Sequence, residues 1–257
     1  MRRSQFEESI MILSNRHMIN IDDNYCELLH DGNDETFVQQ FAELLNRFKV
    51  RERKKPLELN LIVGGNYGLE LKSMEVKRKK LDLDLYYEDD FKPVDELICR
   101  RLRKNDDKGI ILLHGLPGTG KTTYLRYLIG KIKKRVLFVS PGIAGDLMNP
   151  EFVELLVENP NTVVVIEDAE QVIMDRRTSS NSTVSNLLNI SDGLLADFLN
   201  VQLICTFNSS LASVDSALMR KGRLIARYEF GKLSVPKAQA LSRHLGFNTI
   251  ITKSMSI

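Results

Sequence analysis

Gly115-Leu116-Pro117-Gly118-Thr119-Gly120-Lys121-Thr122 follows the apolar run Gly109-Ile110-Ile111-Leu112-Leu113 and fits the P-loop pattern G-x-x-x-x-G-K-[ST]. Glycines at these offsets let the backbone wind tightly around a polyphosphate, with successive N–H groups and the start of the next helix aimed at its negative charge. The pattern predicts that Gly115, Pro117, Gly118, Thr119, Gly120, Lys121, Thr122 and Thr123 hold a nucleoside triphosphate, ATP or GTP. Lys121 then reaches the β- and γ-phosphates, and the Thr122 hydroxyl binds Mg²⁺. A turn that only joined strand to helix would leave the Lys-Thr pair at that offset unexplained.

Working outward, Thr123 to Gly130 reads as a helix closed by glycine, so the loop sits in the strand–loop–helix context that the pattern requires. Strands over 110–114, 136–140, 162–167 and 201–207 alternate with helices over 121–130, 150–158 and 183–198. Such alternation predicts an α/β fold: a P-loop NTPase with a parallel sheet sandwiched by helices. A further helix starts near Phe91-Lys92-Pro93 and leads to the polar turn Asn105 to Gly109. Ahead of it, Phe37, Phe41, Leu44, Leu45 and Phe48 recur at helical spacing, before the basic run Arg51 to Lys55 and Pro56. Leu57 to Val63 and Leu81 to Tyr86 both alternate with period two, with a turn at Gly64-Gly65-Asn66-Tyr67-Gly68. The expected organisation is an N-terminal α+β region over 1–89, a nucleotide-binding core over 90–231 and a short, incomplete helical lid over 232–257.

Two more stations carry chemistry. Thr162-Val163-Val164-Val165-Ile166-Glu167-Asp168 is a buried-strand run that ends in two acids, one suited to hold Mg²⁺ and the other to polarise an attacking water. Position assigns Glu167 to the metal and Asp168 to the base; because Asp is one methylene shorter, the reverse assignment stands beside it. The run Val201 to Phe207 ends in Asn208, where a parallel sheet presents its ligand crevice. Asn208 either orients the water against the γ-phosphate or simply terminates the strand.

Composition narrows the field. The 257 residues carry a net charge of +2, too mild to imply a nucleic-acid or membrane partner. The basic clusters at 51–55, 77–80, 100–104 and 131–135 are neighboured by acids or lie beside predicted helices, as solvated faces do. Cys26, Cys99 and Cys205 are far apart, and His17, His30, His114 and His244 lack metal-ligand spacing. No stretch approaches the roughly 20 apolar residues that span a bilayer. The expectation is a soluble protein of the reducing cytoplasm.

After Asn208 comes Val214-Asp215-Ser216-Ala217-Leu218-Met219-Arg220-Lys221-Gly222-Arg223. With it the chain resembles the AAA clade of the AAA+ ATPases, whose second region of homology has an Asp-x-Ala-Leu-x-Arg-x-Gly-Arg pattern. The resemblance covers roughly residues 90 to 250. It implies that Lys121 and Thr122 belong to Walker A, Glu167 and Asp168 to Walker B, and Asn208 to sensor 1. Arg220 and Arg223 then correspond to arginine fingers, which complete a neighbouring subunit's site. It further implies ATP and Mg²⁺ as cofactors and a homo-oligomeric ring, a hexamer or heptamer. The Glu-Asp order and the region from Gly231 to Leu245 are similar to the mitochondrial translocase of the Rieske iron–sulfur protein and its bacterial relatives.

Two departures bear on function. Ser140 to Leu147, where many relatives carry an aromatic pore loop, has no aromatic, leaving Ile143 or Leu147 to touch a partner. The lid supplies one helix, Pro236 to Leu245, where the family has four. The leading expectation is a ring-forming ATPase that remodels or translocates a protein client. The alternatives are an ATP-dependent assembly switch or scaffold with slow hydrolysis, and a nucleic-acid loader, which would need the basic clusters to converge on one face.

Overall fold

A computed structural model describes residues 9–14, 16–21, 25–48, 58–65, 68–145, 147–173 and 183–257. The basic run 51–55 with Pro56, the turn residues Asn66 and Tyr67, and Asp146 within the 140–147 segment lie outside the described residues. The chain divides into two compact units, Met1–Lys55 and Pro56–Ile257.

In the first unit, β1 (Ser9–Ile12), β2 (Met18–Ile21) and β3 (Cys26–Leu29) form an antiparallel sheet in sequence order. Helix α1 (Glu35–Phe48) begins where the Asp34 carboxylate accepts the Phe37 N–H at 2.9 Å. Its apolar face meets the sheet where the Phe37 ring lies 4.6 Å from the buried His17 ring.

The second unit is built from β4 (Glu58–Gly65), β5 (Gly68–Glu75), α2 (Leu83–Tyr86), α3 (Phe91–Arg103), β6 (Gly109–His114), α4 (Lys121–Lys131), β7 (Val136–Val139) and α5 (Pro141–Ala144). There follow α6 (Pro150–Glu158), β8 (Val163–Ile166), α7 (Glu170–Ile173), α8 (Thr183–Asp192), α9 (Leu194–Leu199), β9 (Gln202–Phe207), β10 (Leu224–Glu229) and α10 (Val235–His244). The sheet order is β10-β6-β9-β8-β7-β4-β5, parallel throughout except for β5, which returns antiparallel to β4. Strand β6, buried at every position, lies between β10 and β9. Alternate side chains serve opposite faces: Ile110, Leu112, Val164 and Cys205 join one core with Phe152 and Leu187, while Ile111, Leu113, Val165 and Ile204 join the other with Ile98 and Leu128.

Several expectations need correction. The division falls between Lys55 and Pro56, ahead of the expected boundary at 89, because β4 runs parallel to β7 (Leu59 opposite Val136) and extends the core sheet. Asn60, inside that junction, gives its Nδ2 to the Val136 carbonyl at 3.3 Å and accepts the Ser73 hydroxyl at 2.8 Å. The alternating segment at 81–86 is no strand. Asp82 caps a helical turn by accepting the Asp84 N–H, and Leu81 and Leu83 pack into one core while Leu85 meets α10. Gly130 lies inside α4, which runs on to Lys131. The helix expected over 183–198 breaks at Gly193, where a Cβ would stand 2.7 Å from the Asn189 carbonyl oxygen. Leu147, expected to reach a partner, is fully buried in the core, and Ile143 packs against the same core.

Candidate active site

The site lies at the carboxyl ends of β6, β8 and β9, the edge at which a parallel sheet binds ligands. A cluster of rings anchors the loop that follows β6. Phe91, Tyr124, Phe230 and Tyr87 meet edge-on or tilted at centroid separations from 4.6 to 6.2 Å. The Tyr124 hydroxyl donates to buried Asp95 at 2.9 Å, and Tyr87 donates to the Gly120 carbonyl at 3.0 Å, fixing the first turn of α4. Gly115 is required by its neighbour strand: at φ +144°, any Cβ there would stand 2.3 Å from the Phe230 carbonyl oxygen. Gly120, at φ +89°, begins α4 and faces Tyr87 and Ile257.

Within the loop, Thr119 closes a turn onto the Leu116 carbonyl at 2.7 Å. Lys121 is buried, and its Nζ donates to the carbonyls of Gly115 at 2.6 Å and Leu116 at 3.0 Å. Burial holds its ammonium below the usual lysine range, against the attraction of Asp168 and Glu170. Thr122 is exposed and Thr123 half-buried, and Pro117 and Gly118 earlier in the loop are exposed as well. The residues at 255–257 come to the same place. Met255 pairs with Leu233 in an antiparallel bridge, Ser256 lies over Gly118 and Ile257 packs toward Gly120.

The acids follow β8. Half-buried Glu167 makes no hydrogen bond or ion pair with another described side chain. Asp168 is exposed and takes the left-handed conformation, φ +52°. Asp enters that region more readily than Glu, which gives a backbone reason for the Glu-Asp order. Its N–H donates to the Thr206 hydroxyl at 3.3 Å, and the Ala169 N–H to the Thr206 carbonyl at 2.8 Å, so the turn is tied to the end of β9. Asn208, one residue past β9, donates its Nδ2 to Asp168 at 3.3 Å and to Glu170 at 3.0 Å, and its own N–H to Glu170 at 2.6 Å. The structure thus brings together Lys121, Asp168 and Asn208, and adds Glu170, which sequence reading missed. The available signal was the pattern Glu-Asp-Ala-Glu, with a third acid at the start of a helix.

The two arginines differ. Arg220, exposed at the end of the turn Ser216–Met219, has no side-chain hydrogen bond or ion pair among the described residues. Arg223 bonds to Asp192 through Nε and to the Ala217 carbonyl at 3.1 Å through Nη1, within its own chain. Mg²⁺ fits the donors present: it prefers oxygen ligands, few of them from protein, and Thr122 offers a hydroxyl while Glu167 offers an uncommitted carboxylate.

Residues 111–232 match the model of the ATPase family associated with various cellular activities (AAA). The probable mitochondrial chaperone bcs1 of Schizosaccharomyces pombe is 30% identical over 131 residues, 47% of this chain and 28% of that protein. A 26S proteasome regulatory subunit 6B homolog of Encephalitozoon cuniculi is 27% identical over 216 residues, 79% of this chain and 51% of that one. The probable mitochondrial chaperone BCS1-A of Dictyostelium discoideum is 25% identical over 146 residues, 52% of this chain and 34% of its own. The matches therefore span from about a quarter to about half the length of these relatives.

Proposed function

We propose, from the match of residues 111–232 to the AAA ATPase family model, that the chain assembles into a homo-oligomeric ring that couples ATP hydrolysis to remodelling or translocation of a protein partner. The carrying observation is the unequal state of the site. Lys121, Asp168 and Asn208 converge on one edge of the sheet, whereas the exposed Arg220 makes no side-chain hydrogen bond or ion pair among the described residues. An exposed arginine without a side-chain partner among the described residues suits a role across an interface. The chaperone and proteasome-subunit names of the relatives support a protein as the partner.

In this reading Lys121 exchanges its carbonyl partners for the β- and γ-phosphate oxygens. Gly115, Pro117, Gly118, Thr119, Gly120 and Thr123 supply the cradle. Thr122 and Glu167 hold Mg²⁺, which when bound neutralises charge on the phosphate oxygens. Asp168 takes the proton of the attacking water, and Asn208 orients that water. Arg220 and Arg223 stabilise the transferring phosphoryl group of a neighbouring subunit.

An assembly switch with slow hydrolysis is the second reading, favoured by the burial of Leu147 and the absence of an aromatic from Ser140 to Leu147. The test measures ATP turnover and mass by light scattering over a range of protein concentrations, for wild type and Asp168→Asn. A rate per subunit that rises with assembly, and falls by at least about 10²-fold in Asp168→Asn, supports the motor. Assembly with ATP but a rate independent of mass supports the switch.

A further inference from the structure

Glu170 opens α7 two residues beyond Asp168, and the two residues before it, Asp168 and Ala169, give their N–H groups to Thr206 near the end of β9. One of its oxygens, Oε1, accepts two hydrogens from Asn208: the backbone N–H at 2.6 Å and the side-chain Nδ2 at 3.0 Å. The remaining Nδ2 hydrogen has Asp168 Oδ1 at 3.3 Å. We infer that Glu170 is a positioning residue for hydrolysis: it acts through Asn208, fixing which end of that amide faces the attacking water.

The argument is one of donors and acceptors. Ionised carboxylates only accept hydrogen bonds. An amide between two of them must turn its NH₂ group toward both, and its Oδ1 therefore away from both. Without Glu170, one carboxylate 3.3 Å away remains to hold the amide, and a half-turn about the terminal torsion swaps oxygen for nitrogen. The backbone N–H of Asn208 also loses a charge-assisted partner, the shorter of the two contacts. Glu170 thus sets both where Asn208 stands and how it is flipped, leaving Oδ1 as the acceptor that orients a water proton while Asp168 takes the other.

This inference rests on the proposed roles of Asp168 and Asn208, so its test keeps the two apart. ATPase kcat and KM are measured on the full chain for wild type, Glu170→Ala, Glu170→Gln, Asn208→Ala, the Glu170→Ala/Asn208→Ala double variant and Asp168→Asn, with thermal midpoints and ADP binding alongside. Glu170→Ala should lower kcat by about ten- to a hundred-fold and leave KM within about two-fold. The double variant should be no slower than Asn208→Ala alone, the sign of two residues acting as one unit. Glu170→Gln, whose Oε1 still accepts, should recover most of the loss. Losses that multiply in the double variant, or an unchanged kcat in Glu170→Ala, overturn the inference. Should Glu170→Ala fail to fold, the cycle is built with Glu170→Asp, and multiplying losses overturn it equally. If Asp168→Asn turns over at the wild-type rate, the catalytic reading itself fails.

Discussion

At the scale of single residues, the nucleotide loop shows why a motif can be read ahead of a fold. Gly115 is a glycine because the backbone of Phe230 passes where its Cβ would be, with the oxygen at 2.3 Å. Gly115→Ala should therefore cost at least about 2 kcal/mol of stability, seen as a lowered urea midpoint, as well as weakening nucleotide binding. His114, just before it, is buried against Phe207 at a 5.2 Å ring separation, and its Nε2 has no hydrogen-bond partner among the described residues. Burial holds this imidazole below its ordinary value of 6.5, with Lys121 and Arg227 acting in the same sense and Glu229 against it. Between the folded-state value and about 6.5 the unfolded chain binds a proton that the folded one refuses. Stability is thus complete above that window and falls as the pH drops through it. Urea unfolding compared at about pH 7.5 and about pH 5.5 should show the loss, and His114→Phe should flatten it. That Lys121, Asp168 and Asn208 gather at one edge was legible because each follows an apolar strand of the sheet. Glu170 was not, because its partner Asn208 is remote in sequence and meets it only through the pairing of β8 with β9.

At the scale of elements, the strands and helices of the core were readable from apolar runs and their punctuation, and the errors share a cause. Leu81 to Tyr86 alternates like a strand, yet its leucines pack onto two different neighbours from a single helical turn. Of the strand read over Leu57 to Val63, residues 58–63 lie in β4, but they were placed with the N-terminal region, since nothing local announces that they pair with β7, some 76 residues on. The opposite end of the sheet from the active site is held by a network of equally remote partners. Gln202, fully buried at the start of β9, donates to the Arg101 carbonyl at 2.9 Å and to Asp107 at 3.2 Å, and accepts from Lys134 at 2.9 Å. Arg101 grips Asp107 with two bonds of 2.6 and 2.8 Å. Gln202→Ala should cost about 2 kcal/mol by stranding these groups. Because the network lies at the amino end of β9, away from the acids and the loop, ADP affinity measured calorimetrically should not change.

At the scale of the whole molecule, the question is whether one chain makes a complete site. The resemblance assigned Arg220 and Arg223 the same task, and the structure separates them. Arg223 is committed to Asp192 and the Ala217 carbonyl, and its own carbonyl accepts the Ile110 N–H at 2.8 Å beside the loop strand. Arg220 is exposed, without a side-chain partner among the described residues. Replacing each with alanine should give different signatures. Arg220→Ala should leave the thermal midpoint and ADP binding of the dilute protein unchanged, and remove only the part of the ATPase rate that grows with concentration, by roughly 10³-fold if it is a trans-acting finger. Arg223→Ala should also lower the thermal midpoint of the dilute protein, because it removes the bonds that tie the partly buried Arg223 to Asp192 and to the Ala217 carbonyl. Mixing catalytically dead Asp168→Asn subunits with Arg220→Ala subunits decides the matter. Only if the arginine works across an interface can such a mixture regain turnover, with the intact Arg220 of one subunit serving the intact Asp168 of the next; a mixture as inactive as its components would put Arg220 outside the catalytic machinery.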